Sequence, residues 1–66
     1  MASRYIVTTN LLSSHDRKAL INEIDKYAFL FSENAIEGYI DITWDLKEDI
    51  SNIIKFPTNC HVEKVG

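Results

Sequence analysis

The sequence predicts an α+β domain in which two helices cover one face of an antiparallel sheet, in the order β-α-β-β-α-β. Three observations point there. The chain opens on a run rich in β-branched and aromatic residues, Arg4-Tyr5-Ile6-Val7-Thr8-Thr9. A period-two alternation follows later, with Ile36, Gly38, Ile40, Ile42 and Trp44 on one side and Glu37, Tyr39, Asp41 and Thr43 on the other. Two further stretches carry apolar residues at helical spacing, each behind a capping side chain.

The opening run suits a central strand that ends at Asn10. Ser13 and Ser14 then offer N-caps, with Asp16 near the positive end of the helix dipole. Leu20, Ile24, Tyr27 and Phe31 recur as one buried stripe, while Arg17, Lys18, Asn22, Glu23 and Lys26 fall between them and face water. The first helix is expected to end near Tyr27 or Ala28. Phe29-Leu30-Phe31-Ser32 admits two readings: Phe31 closes the helical stripe, or Phe29 and Phe31 face the core from a short second strand. Glu33-Asn34 reads as the turn before the alternating third strand.

Asp45-Leu46-Lys47-Glu48 has the form of a capping box, and Leu46, Ile50, Ile53 and Ile54 follow with helical period. Pro57 stops that second helix near Lys55 or Phe56. Cys60 to Val65 closes the chain as a fourth strand. These elements make a ferredoxin-like sandwich, one domain over residues 1–66. The sheet face away from the helices has no cover of its own, so it must be wet or meet a partner.

Composition narrows the function. The chain has 66 residues and a single cysteine, so it relies on packing or a partner for stability, without an internal disulfide. A net charge of −3 supplies no basic footprint for nucleic acid. No apolar run approaches the ~20 residues of a membrane-spanning helix. The N-terminus carries no signal-like segment, which suits a cytoplasmic protein, or a secreted one whose leader has been removed.

Candidate chemistry is sparse. His15, Cys60 and His61 are the soft metal ligands, but neighbouring strand residues point to opposite faces, so Cys60 and His61 do not converge on one ion. Asp41, Asp45, Glu48 and Asp49 form the densest acidic cluster. Asp45 and Glu48 are read as capping groups and Asp41 as a solvated strand residue, so general acid/base work is not expected. Gly38 and Gly66 are the only glycines, and no phosphate loop can be built from them. Neither a catalytic centre nor a cofactor is expected. The remaining candidate is the strand face of Glu37, Tyr39, Asp41 and Thr43, an aromatic side chain set among polar ones as in protein interfaces.

Four features in order and spacing resemble the propeptide-inhibitor family of subtilisin-like serine proteases. They are Tyr5-Ile6-Val7-Thr8, Gly38-Tyr39, the helix ending at Phe56-Pro57, and Val62-Glu63 five residues after that proline. The resemblance implies a ferredoxin-like inhibitor or folding chaperone whose open sheet face docks on surface helices of the protease. It assigns Tyr39 and its face to docking and Glu63 to capping a helix of the enzyme. Lys64, Val65 and Gly66 would begin a tail laid in the active-site cleft, spanning about 10 Å when extended. Aligning Gly38 with the family glycine puts the family's core positions on Tyr39, Asp41 and Thr43, against the aliphatic alternation, and requires a bulge or one-residue slip in the third strand.

The expected partner is thus a subtilisin-like protease or another protein enzyme, with a homodimer through the bare sheet as a further arrangement. An alternative reading is a small free-standing regulator from a phage or mobile element that inhibits a host defence enzyme. A third is a ferredoxin-like nuclease with a metal-binding carboxylate at the end of its first strand. Thr8-Thr9-Asn10 lacks that carboxylate, which ranks this reading last.

Overall fold

The computed structural model describes residues 3–27 and 30–66, without the side chains of 30 and 31. It contains β1 (Ser3–Thr8), α1 (Ser14–Tyr27), β2 (Leu30–Asn34), β3 (Tyr39–Trp44), α2 (Ile50–Ile53) and β4 (His61–Lys64). The strands form one antiparallel sheet in the order β2-β3-β1-β4. The result is a small α+β fold with a four-stranded sheet and two helices.

Alternation decides which side of the sheet is dry. Tyr5 and Val7 of β1 and Ile40, Ile42 and Trp44 of β3 are buried, and they meet Leu20 and Ile24 of α1 with Ile50 and Ile54. The register sets Tyr5 opposite Ile42 and Val7 opposite Ile40, so the apolar side chains form contiguous cross-strand pairs. Burying each aliphatic side chain contributes roughly 1.5–3 kcal/mol. No slip or bulge interrupts the β1–β3 register. The core positions of β3 are therefore Ile40, Ile42 and Trp44, and not those obtained by aligning Gly38 with the family glycine.

Helix α1 begins as expected. The Ser13 hydroxyl accepts from the Asp16 amide at 3.2 Å, satisfying a first-turn donor. Leu20 and Ile24 form its buried stripe, but Tyr27 remains 39% exposed and adds little to it. Arg17 does not simply face water. Glu33 lies in register with Ile40, on the helix side of β2, and Arg17 Nε reaches its carboxylate at 3.1 Å.

Of the two readings of 29–32, the strand holds over Leu30–Ser32, so Phe31 belongs to β2 and does not close the α1 stripe. Phe29, and the direction of the Phe31 side chain, lie outside what is described. Glu33-Asn34 is also strand, and the reversal falls on residues 35–38. There the Asn34 side chain accepts from the Glu37 amide, and the Gly38 amide donates to the Asn34 carbonyl at 2.8 Å. Gly38 closes the loop at φ +76°, a conformation that costs other residues a steric penalty. Ile36, expected in the strand, is consequently 99% exposed in that turn.

The second helix is the largest departure. It spans four residues and is capped by Asp49, whose Oδ1 accepts from the Ser51 amide at 2.9 Å. Asp45 and Glu48 do not form the expected capping box, and residues 46–48 are a bend. The buried indole of Trp44 explains this, because it needs an acceptor and takes the Glu48 carbonyl at 2.8 Å. In a helix begun at Leu46 that carbonyl would serve the Asn52 amide, which instead donates to the Asp49 carbonyl at 3.0 Å. Two adjacent β-branched residues, Ile53 and Ile54, give the short segment little propensity to extend. Ile54 is already extended, with φ −107° and ψ 127°, and its side chain turns into the core.

Candidate functional site

The uncovered sheet face is built by the alternate residues of all four strands. From β1 it takes Arg4, Ile6 and Thr8; from β3, Tyr39, Asp41 and Thr43. Register extends it in rows: Ser32, Asp41, Ile6 and Glu63 lie across the sheet in one, and Asn34, Tyr39, Thr8 and His61 in the next. Ile6, Thr8, Tyr39, Asp41 and Thr43 are each half-buried by their neighbours, while Glu63 and His61 are exposed at the β4 edge.

One ion pair orders this face. Arg4 Nε and Nη2 donate to Asp41 Oδ1 and Oδ2 at 2.9 and 2.6 Å, a two-point contact between strands. The hydrogen bond to Arg4 holds the Asp41 carboxyl below its ordinary range, against a smaller opposing effect of burial. Among the described residues, Glu63 has no ion-pair partner. The face thus offers a short apolar ridge of Ile6 and Tyr39 beside a carboxylate that can still accept hydrogen bonds.

Of the residues expected in the site, Tyr39, Asp41, Thr43 and Glu63 are brought onto this one face. Glu37 is not, because it sits in the 35–38 turn with its amide tied to Asn34. Lys64 stands in register with Tyr5 and therefore belongs to the opposite side of the sheet. Val65 and Gly66 do not start a free tail. The Val65 amide donates to the Arg4 carbonyl at 2.8 Å and the Arg4 amide to the Gly66 carbonyl at 3.0 Å, so two residues oppose one, as in a β-bulge.

The sequence pattern does not single out Arg4, Ile6, Thr8, Ser32, Asn34 and His61 as members of this face. The signal for the β1 residues was present in the parity of the strand, since Tyr5 and Val7 as core leave Arg4, Ile6 and Thr8 on the other side. His61 stands out in the sequence solely as a metal ligand. In the structure Cys60 packs against the core, where burial raises its thiol pKa, while His61 is exposed, so the two diverge.

A concavity of about 140 Å³ lies on the helix side, between α1 and the segment after α2, lined by Asp16, Ala19, Leu20, Glu23, Lys55 and Pro57. It is smaller than the ~300–1,000 Å³ of small-molecule sites and shares no residue with the open face. Among the described residues no helix is long and apolar enough to cross a membrane. Compared with protein-family models, curated proteins and solved structures, the chain matches none.

Proposed function

We propose that the chain is a ferredoxin-like protein-binding module that docks on a protein partner through its uncovered sheet face. The strand order β2-β3-β1-β4 and the antiparallel pairing of every neighbouring pair support the ferredoxin-like reading. The observation that carries the function is the face itself: Ile6 and Tyr39 form its apolar centre, and Asp41, Thr43, Glu63 and His61 form its polar surround. Interfaces favour that arrangement of an aromatic anchor within a polar rim.

The family resemblance makes a subtilisin-like serine protease the first partner to test. Glu63 suits the N-terminal end of a partner helix, where exposed amides and the dipole favour a carboxylate. With Val65 and Gly66 held against Arg4, docking is proposed without insertion of these residues into the active-site cleft. Calorimetric titration into subtilisin, free and active-site-blocked, therefore tests the reading better than inhibition of peptide hydrolysis alone. Binding to both forms that is lost in Tyr39→Ser is expected. Absence of heat and of any rate change at tens of micromolar would remove subtilisin as the partner.

A further inference from the structure

Besides its open face, the sheet ends on two outer strands, β2 and β4, and among the described residues nothing pairs with the outer edge of β4. The hydrogen bonds at Arg4 fix which backbone groups point where. Because the Val65 amide faces β1, alternation along an antiparallel strand directs the groups of Glu63 and His61 to β1 as well. Those of Val62 and Lys64 point outward, and β4 is the last strand of the sheet. An unpaired edge of this kind is a template for another strand.

Charge on the edge strand selects which strand fits. Consider β4 meeting a second β4 antiparallel, with the two-fold axis at each of its residues in turn. An axis at His61, Glu63 or Lys64 sets that residue against its own copy, and the last two juxtapose like charges, which is unfavourable. An axis at Val62 instead sets valine against valine and places His61 of each copy opposite Glu63 of the other, twice. In this register the outward groups of the two Val62 residues bond to each other. The His61–Glu63 pairs then fall at the closely spaced positions of the ladder, where side chains interact best. The imidazole can donate to a carboxylate in either protonation state of the ring.

We propose that β4 pairs antiparallel with β4 of a second copy about a two-fold axis at Val62. The two four-stranded sheets become one continuous sheet, stitched by two reciprocal His61–Glu63 contacts. In this register the strand pairs over three residues, His61 to Glu63, because Lys64 falls opposite Cys60, whose amide already donates to the Pro57 carbonyl at 3.1 Å, so the interface is small and the dimer weak and concentration-dependent. Both open faces then lie on the same side of the joined sheet. This inference stands apart from the proposed function, since it uses the strand edge and needs no foreign partner.

Sedimentation equilibrium of the whole chain, from micromolar to millimolar, tests it. The average mass of the wild type is expected to rise from that of one chain toward two. His61→Glu, which sets carboxylates against each other twice, weakens association by roughly tenfold. The exchanged variant His61→Glu/Glu63→His restores it, and Tyr39→Ser on the open face leaves it unchanged. Thermal melting checks that each variant still folds. A single-chain mass at every concentration overturns the proposal. So does association that ignores His61→Glu, is not recovered in the exchanged variant, or disappears in Tyr39→Ser.

Discussion

The two faces of β3 differ by one residue of register and by almost everything else. Ile40, Ile42 and Trp44 are sealed under α1 and the α2 turn, whereas Tyr39, Asp41 and Thr43 stand half-covered on a surface that nothing among the described residues closes. The difference shows how a chain of 66 residues divides its labour. One face holds the fold together through water-excluded aliphatic contacts, and the other is free to carry side chains chosen for something else. Substitutions on the first should register in stability and those on the second in binding.

The largest expected effect lies on the sealed face. Ile50→Asp puts an unpaired charge at a position with no solvent exposure, which costs more than a small domain's margin of roughly 5 kcal/mol. Loss of the cooperative thermal transition is expected, and a native-like melt would show that the α2 turn does not close the core. Next comes Gly38→Ala at the hairpin turn. A Cβ there would lie 2.5 Å from the Asn10 Cβ and 2.9 Å from its Cα, at a φ of +76°. A loss of about 2–3 kcal/mol in urea denaturation is expected from strain and clash together. Retention of wild-type stability would mean that the turn and the β1–α1 loop can separate freely.

Thr9 tests the border between the faces with the opposite sign. Its hydroxyl is buried and has no partner among the described residues. Thr9→Val keeps the shape and removes the stranded polar group, so a gain of about 1 kcal/mol is expected in the same denaturation experiment. On the open face, the Arg4–Asp41 pair predicts a pH dependence. The folded-state pKa of Asp41 is depressed, so its contribution is complete above the ordinary aspartate range and is lost as pH falls through the depressed range. Asp41→Asn should flatten that part of the acid limb and lower stability at neutral pH by the same small amount, within about 1 kcal/mol as for other exposed pairs. An unaltered acid limb would deny the pair any part in it. Smallest of all, Tyr39→Ser should move stability by within about 1 kcal/mol, the scale of one cross-strand pair. A larger fall would reassign Tyr39 to the core.

How much of this could be read from the residues alone follows from the range of the interactions involved. β1, α1 and the parity of β3 are periodic patterns, visible because each repeat adds the same burial. The α2 region misleads for a tertiary reason: the Asp45 capping box is locally sound, yet the Trp44 indole takes the Glu48 carbonyl and leaves Asp49 to cap one turn. Ile36 misleads differently, by continuing the alternation of β3 beyond the point where Gly38 has already reversed the chain. Part of the open face was legible, as Tyr39, Asp41, Thr43 and Glu63. Arg4, Ile6 and Thr8 follow from the parity of β1, but what each of them meets depends on which strands are neighbours, and the contact between Arg4 and Asp41 joins residues 37 apart in sequence.

Trp44 is the chain's single tryptophan, and its indole is shut away from solvent with its N–H held by the Glu48 carbonyl. The molecule therefore contains its own optical reporter, placed at the base of the segment whose conformation the periodic pattern misstates. Folded protein should emit at short wavelength from that dry site, and release of the 46–48 bend should shift the band to the red. Unlabelled fluorescence can then time the opening of this bend separately from the far-ultraviolet dichroism, which follows mainly the longer helix α1.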